Sequence, residues 1–422
     1  MSDELLFADL KVIDMSSWIA APVAATILAD FGAQVIKVEP PVAGDGYRNF
    51  AMMPSSPTSD VNYTWEMDNR NKRSIALNLK TEEGRAILRR MVSECDIYIT
   101  NTTHPMRREW GLTYEDLAAV NPQLIYASLT AYGEQGPERD REGFDLVAYW
   151  SRSGLMDLVR APGAAPAPAL PGMGDHPTSV TLYASILTAL FKRQQTGKGS
   201  HVHTSLLANG MWSASCIAQG VFAEADFTLY HHLADHLFTR LLYEAADGRW
   251  LQFSMVRTDE EVDMLFTIMG RPDLLLDPRF LTAEQRVENG DQLGQEMRDV
   301  LITQPSDYWM QALSEVGVPV ALVARIDELP NDPQVVANNM AIQPTSDVGM
   351  PAVIKHPVNV EGLNTRPAGP APELGQHRHD GAPDHGEARA RDRRVPGSSL
   401  AAWEVSDHRL DAPDKCGMAD PY

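Results

Sequence analysis

The sequence predicts an α/β fold: a large domain built on a parallel sheet, joined to a smaller α+β domain. Three observations predict it. Residues 10–39 run strand, helix, strand, the span of a βαβ unit. Strand-like and helix-like runs then alternate as far as residue 129. From about residue 222 that alternation gives way to a hairpin and a string of helices.

The first strand covers residues 10–15 and ends at Ser16-Ser17. Residues 20–31 are Ala-rich and amphipathic, with Pro22 in the first turn, where a missing N–H is tolerated. Gly32 stops this helix, and residues 33–39 form the second strand. The turn from Ser16 to Pro22 holds no GxGxxG, so the large domain is Rossmann-like without a dinucleotide fingerprint. Residues 44–62, rich in Pro, Ser, Met and Gly, read as a long surface loop. A strand-like run at 75–79, a helix at 82–93, a strand at 96–100, a helix at 114–119 and a strand at 124–129 continue the alternation. The loop at 130–137, with Tyr132 and Gly133, leaves the sheet at a strand's carboxyl end, where such folds bind ligands. Residues 143–150 read as a capped helix, 161–169 as an Ala/Pro linker, 180–191 as a helix and 202–207 as a strand. The expected organisation is a large domain from 1–221, a small α+β domain from 222–342 and a return to the large domain at 343–377. Asp247-Gly248 is the hairpin turn of the small domain. Residues 378–422 show no period and read as an irregular or disordered tail.

With 422 residues, 44% of them hydrophobic, the chain can bury a large core. A formal charge of -21 argues against a nucleic-acid partner, whose phosphates need clustered Lys and Arg. Cys95, Cys216 and Cys416 are too scattered for a disulfide framework or a metal site. The acidic N-terminus lacks a signal peptide's pattern, and no apolar run approaches the ~18 residues of a membrane span. A cytoplasmic protein with no membrane association is expected.

Two stretches carry chemistry. In Gly172-Met173-Gly174-Asp175-His176-Pro177 a single carboxylate follows two glycines and precedes a helix. It serves either as an ordinary N-cap or as a nucleophile whose charge the helix end favours. Asn71-Lys72-Arg73 puts basic residues before a strand in an acidic protein. It is either a solvated turn or a phosphate contact.

Together with Gly32 to Glu39, Tyr132-Gly133, Gly143-Phe144-Asp145 and Thr196-Gly197-Lys198-Gly199, these stretches resemble the class III CoA-transferases, the CaiB/BaiF-like family that also contains acyl-CoA racemases. The resemblance runs from about residue 10 to 377. It implies an interlocked homodimer, and coenzyme A or acyl-CoA as substrate rather than as a tightly bound cofactor. It also implies that Asp175 attacks an acyl-CoA to give a mixed anhydride, from which CoA thiolate makes an aspartyl-CoA thioester. Backbone N–H groups beside Gly174 and Asp175 would then stabilise the oxyanions. By the same resemblance Asn71, Lys72, Arg73, Lys37, Tyr132, Gly133 and Gly174 contact CoA. Where relatives carry a basic residue after the strand's glutamate this chain has Pro40, so Arg107 or Arg108 is the expected substitute.

Trp18, Ile19, Phe144 and Asp145 are the expected acid pocket. Ile19 stands where oxalate-handling members carry Gln, and the family's glycine-rich lid has no clear match at 255–259. Both point to a bulky, aromatic or hydroxy acid, although Trp18, Phe144, Tyr149 and Trp150 equally suit a core. Racemases of the family carry a His where Phe144 stands, and Phe cannot carry a proton. A racemase or epimerase is therefore the first alternative, and a non-catalytic CoA-binding subunit of a hetero-oligomer the second. His176 is read as part of the turn rather than as a second base.

Overall fold

β1 (Lys11–Met15) is buried at its three central residues and pairs in parallel with strands on both sides. That is the environment of a central strand covered on both faces. The computed structural model describes residues 5–54, 56–160, 164–227, 237–254, 256 and 258–377, so the tail read at 378–422 lies outside the described residues. After β1 come α1 (Ala20–Asp30), β2 (Gln34–Glu39), α2 (Tyr63–Asn69), β3 (Arg73–Ala76), α3 (Glu82–Ser93), β4 (Ile97–Thr100), α4 (His104–Trp110), α5 (Tyr114–Val120) and β5 (Ile125–Thr130). Next are α6 (Leu155–Leu158), α7 (Asp175–Thr196), β6 (Ser200–Ser205) and α8 (Leu206–Ser213).

The six strands form one sheet in the order β3-β2-β1-β4-β5-β6, every pair parallel. The order reverses between β1 and β4, so the crevice at the carboxyl ends of these strands is the expected ligand site. Every residue of α1 is buried, which suits an Ala-rich helix packed between the sheet and α7. This unit takes in the described part of Met1–Ser153, Ala169–Trp212 and the described part of Ile342–Tyr422. Its C-terminal segment lies along β3: Ser74 donates its N–H to His377 Nδ1 (3.2 Å) and accepts from the His377 N–H (3.1 Å). Arg48 and Trp65 both donate to the Pro372 carbonyl.

The second unit takes in Gly154–Pro168 and Ser213–Ala341. Its antiparallel sheet has the order β7 (Leu242–Glu244), β8 (Trp250–Phe253), β9 (Val320–Leu322), with the β7–β8 turn at Asp247-Gly248. Tyr243 faces Leu251 and Phe253 faces Val320, and helices Asp259–Ile268, Gly290–Leu301 and Ser306–Glu315 close the core with Leu265, Phe266, Leu293 and Trp309.

Several sequence expectations shift. The loop at 44–62 contains a 3-10 helix, Gly46–Met52, because Asp45 caps it by accepting from the Tyr47 N–H and Tyr47 is buried. The strand expected at 75–79 begins at Arg73, which pairs with Ile36 of β2. The helix expected at 180–191 begins five residues earlier at Asp175; Pro177 sits in its first turn, where proline is tolerated. Residues 143–150 yield only a short π-type turn, Leu146–Ser151.

Candidate active site

A cavity of about 480 Å³ opens where all six strands of the first unit end. Residues following β1 (Ser17, Trp18, Ile19), β2 (Pro40), β3 (Asn78, Lys80), β4 (Asn101, His104), β5 (Ala131) and β6 (Leu206) line it. Arg139, Arg141, Gly143 and Phe144 complete one rim, and Asp175 contributes a carboxylate.

Asp175 is the first residue of α7 and Gly174 its N-cap, so Asp175 does not cap the helix. Its residue is 9% exposed, and burial pushes its carboxyl up to about 7. The nearby Asp145 raises it further, His176 opposes, and Asp68 adds to the rise. Burial beside a second carboxylate thus works against the charge that the helix end favours. Asp145, 5% exposed, accepts from the Leu146 N–H (2.8 Å) through Oδ1 and from the Gly174 N–H (3.2 Å) through Oδ2. The Gly174 N–H is therefore engaged by Asp145. Gly174 is required for a steric reason: a Cβ there would lie 2.5 Å from Tyr149 Cγ.

Trp18 adopts a left-handed backbone conformation (φ 67°) that few non-glycine residues take. Neighbouring hydrogen bonds hold it there. Trp18 N–H donates to Asp45 Oδ1 (3.0 Å), Ser17 N–H to Asn101 Oδ1 (3.0 Å), and Asn101 Nδ2 to the Ser17 carbonyl (2.7 Å). The Phe144 ring, 54% exposed, meets the Trp18 ring edge-on at 5.2 Å. With the buried Ile19, they give one end of the cavity an apolar, aromatic wall. Tyr149 and Trp150 are buried and belong to the core.

The basic motif faces elsewhere. Lys72 Nζ is buried and donates to Asp14 Oδ2 (2.9 Å), the Pro22 carbonyl (2.8 Å) and Asn69 Oδ1 (2.8 Å). Burial, outweighing Asp14, brings its ammonium down to about 8. Lys37 Nζ is equally buried, on Asp45 Oδ2 (2.8 Å) and the Ser16 carbonyl (2.9 Å). Asn71 bridges Asp30 (2.9 Å) and the Gly369 N–H (3.1 Å). None of Lys37, Asn71, Lys72 and Arg73 lines the cavity. Asn71, Lys72 and Arg73 lie at or before the first residue of β3, and this cavity opens at the strands' other ends. Tyr132 and Gly133 also stay off the lining. Tyr132 sits under the Arg141 guanidinium (5.3 Å), and Gly133 donates its N–H to Thr130 Oγ1 (2.9 Å). Arg107 pairs with Glu134 and Arg108 with Asp140, and neither lies on the cavity lining. The cations on the lining are Lys80, Arg139 and Arg141, which sequence reasoning missed. Their signal was position: Lys80 follows a strand end, and both arginines sit in the loop leaving β5.

Among the described residues no group of three or more His, Cys, Asp or Glu is placed to hold a metal ion, and no helix is long and apolar enough to cross a membrane. Of the residues compared with a glycine-rich lid, 255 and 257 lie outside the described residues.

Sheet order and cavity define an open α/β protein that takes its ligand at the strand carboxyl ends. The chain belongs to CoA-transferase family III, whose model matches residues 7–378, and it is a CoA-transferase. It is similar to (R)-2-hydroxy-4-methylpentanoate CoA-transferase of Clostridioides difficile, 32% identical over 376 residues that cover 88% of this chain and 94% of that one. It is similar also to cinnamoyl-CoA:phenyllactate CoA-transferase of Clostridium sporogenes, 33% identical with 79% and 82% coverage. A CaiB/BaiF family protein from Brucella suis has the same fold, with a TM-score of 0.76 at 28% identity over 88% of this chain and 97% of that one.

Proposed function

We propose that the protein moves CoA from an acyl-CoA to a bulky hydroxy or aryl carboxylic acid, with Asp175 as covalent carrier. The observation that carries this reading is the buried Asp175 carboxylate at a cavity walled by Trp18, Ile19 and Phe144 and rimmed by Lys80, Arg139 and Arg141. The cations suit CoA phosphates and the aromatic wall suits the acyl group. The two relatives' names add support, since both act on 2-hydroxy acids.

An Asp175 oxygen attacks the thioester carbonyl, forming a mixed anhydride and expelling CoA thiolate. The thiolate attacks the Asp175 carbonyl carbon, making the aspartyl-CoA thioester and freeing the donor carboxylate. The acceptor carboxylate then attacks that thioester, and the released thiolate takes the acceptor's acyl group, restoring Asp175. Phe144 offers no proton-carrying group, which favours transfer over racemisation. A homodimer is part of this reading.

Hydroxylamine trapping during turnover, followed by mass spectrometry, should place the modification on Asp175. Asp175→Ala should abolish transfer and still bind CoA. Retained transfer, or α-proton exchange in deuterated buffer without transfer, overturns the reading.

A further inference from the structure

Next to Asp175 runs a line of polar groups that the transfer chemistry leaves unassigned. His176 Nδ1 lies 3.0 Å from the Gly172 carbonyl, and Nε2 lies 3.1 Å from Asp68 Oδ1. Asp68, 2% exposed and carried by α2, accepts at its other oxygen from the Tyr47 hydroxyl (2.6 Å). Tyr47, 1% exposed, is fixed in turn by its N–H on Asp45 Oδ1 (3.0 Å), the same oxygen that holds the Trp18 N–H.

The two acceptors around the imidazole define its state. A carbonyl accepts only, and an ionised carboxylate accepts only. Opposite an ionised Asp68 both ring nitrogens donate, and the ring is an imidazolium. The other ionisable groups around it are Asp68 and Asp175, with Tyr47 behind Asp68. Burial works against the charge, but the Asp68 hydrogen bond prevails and brings His176 up to about 9. Gly172 permits the fit: its φ is 83°, and a Cβ on it would stand 3.1 Å from His176 Nδ1.

We propose that His176 is a positioning residue for Asp175: clamped as a cation between Asp68 and the Gly172 carbonyl, it fixes the turn before the nucleophile and keeps a positive charge beside it. This rests on the reading of Asp175 as nucleophile. Asp145 disfavours ionisation of Asp175, and His176 favours it. The Tyr47–Asp68 pair keeps the second effect in force across neutral pH. Because Asp45 anchors both Tyr47 and Trp18, the acid-pocket wall and the nucleophile share one support.

The test is a pH profile of kcat/KM for wild type and His176→Gln, with the histidine ring state read by NMR on 15N-histidine protein. Loss of the cation raises the carboxyl of Asp175, so the acid limb of His176→Gln should move to higher pH by about one unit, a roughly tenfold loss at pH 6. The NMR signals that vanish in His176→Gln should report an imidazolium at pH 7.5 in wild type and a neutral ring in Asp68→Asn. Tyr47→Phe, which removes one hydroxyl, should move the limb in the same direction by less. A His176→Gln profile of wild-type shape at any height, or a neutral His176 in wild type at pH 7.5, overturns the proposal. Transfer surviving Asp175→Ala would instead overturn the nucleophile assignment itself.

Discussion

Asp175 is governed by opposing neighbours, and their balance has a measurable signature. Burial and Asp145 push its carboxyl up to about 7, against His176. A carboxylate nucleophile works only when ionised, so the sign is fixed: activity is present above the raised pKa and lost as pH falls through it. We expect kcat/KM to be level above about pH 7.5 and to fall close to tenfold per unit below about pH 6.5. Initial rates with a saturating acceptor acid and limiting acyl-CoA measure this. A profile flat down to pH 5 would mean that Asp175 is ionised throughout, contrary to its surroundings.

At the scale of elements, the start of α7 is set by one close packing. Gly174 is pressed against the Tyr149 ring while its N–H is tied to Asp145. Gly174→Ala should destabilise the protein by about 1–3 kcal/mol, as overpacking does. It should also depress turnover by moving Asp175, and urea denaturation with matched rate assays reads both. A wild-type midpoint would show that the turn has room to spare. This element also shows how far the sequence can be read. The Gly-Asp pair, the βαβ opening and the Asp247-Gly248 hairpin were legible because turn chemistry and periodicity are local. The helix start was misplaced because Asp175-His176-Pro177 looks like a cap and a breaker. Only the packing of Tyr149 and the bonds of His176 make those residues helical. Asn71-Lys72-Arg73 misled for the opposite reason. Charge in a sequence reads as solvent-facing, and nothing local reveals that Asp30 meets Asn71 and Asp14 meets Lys72 inside the protein.

At the scale of the whole molecule, the alternating pattern was sufficient to predict a parallel sheet, and its order then located the cavity. The cavity's own cations were not legible, since Lys80, Arg139 and Arg141 meet only through the fold. The proposed homodimer makes a further demand on the surface. Phe191 on α7 and Trp212 on α8 are 64% and 79% exposed and are available to such a contact. Light scattering should give about twice the 46.6 kDa chain mass, and Trp212→Glu should weaken the assembly. A single-chain mass at micromolar concentration would sink the dimer.

The seam between β3 and the C-terminal segment ties the molecule's assembly to time. Ser74 and His377, which bond each other through backbone and ring, are 303 residues apart in the chain. At ordinary translation rates, roughly 15–60 s separate their emergence from the ribosome. Throughout that interval the sheet's outer strand has its Ser74 N–H and carbonyl open, the kind of edge that invites pairing with another nascent chain. Completion of this edge waits for His377, and its timing belongs to a late stretch of the chain rather than to an early one.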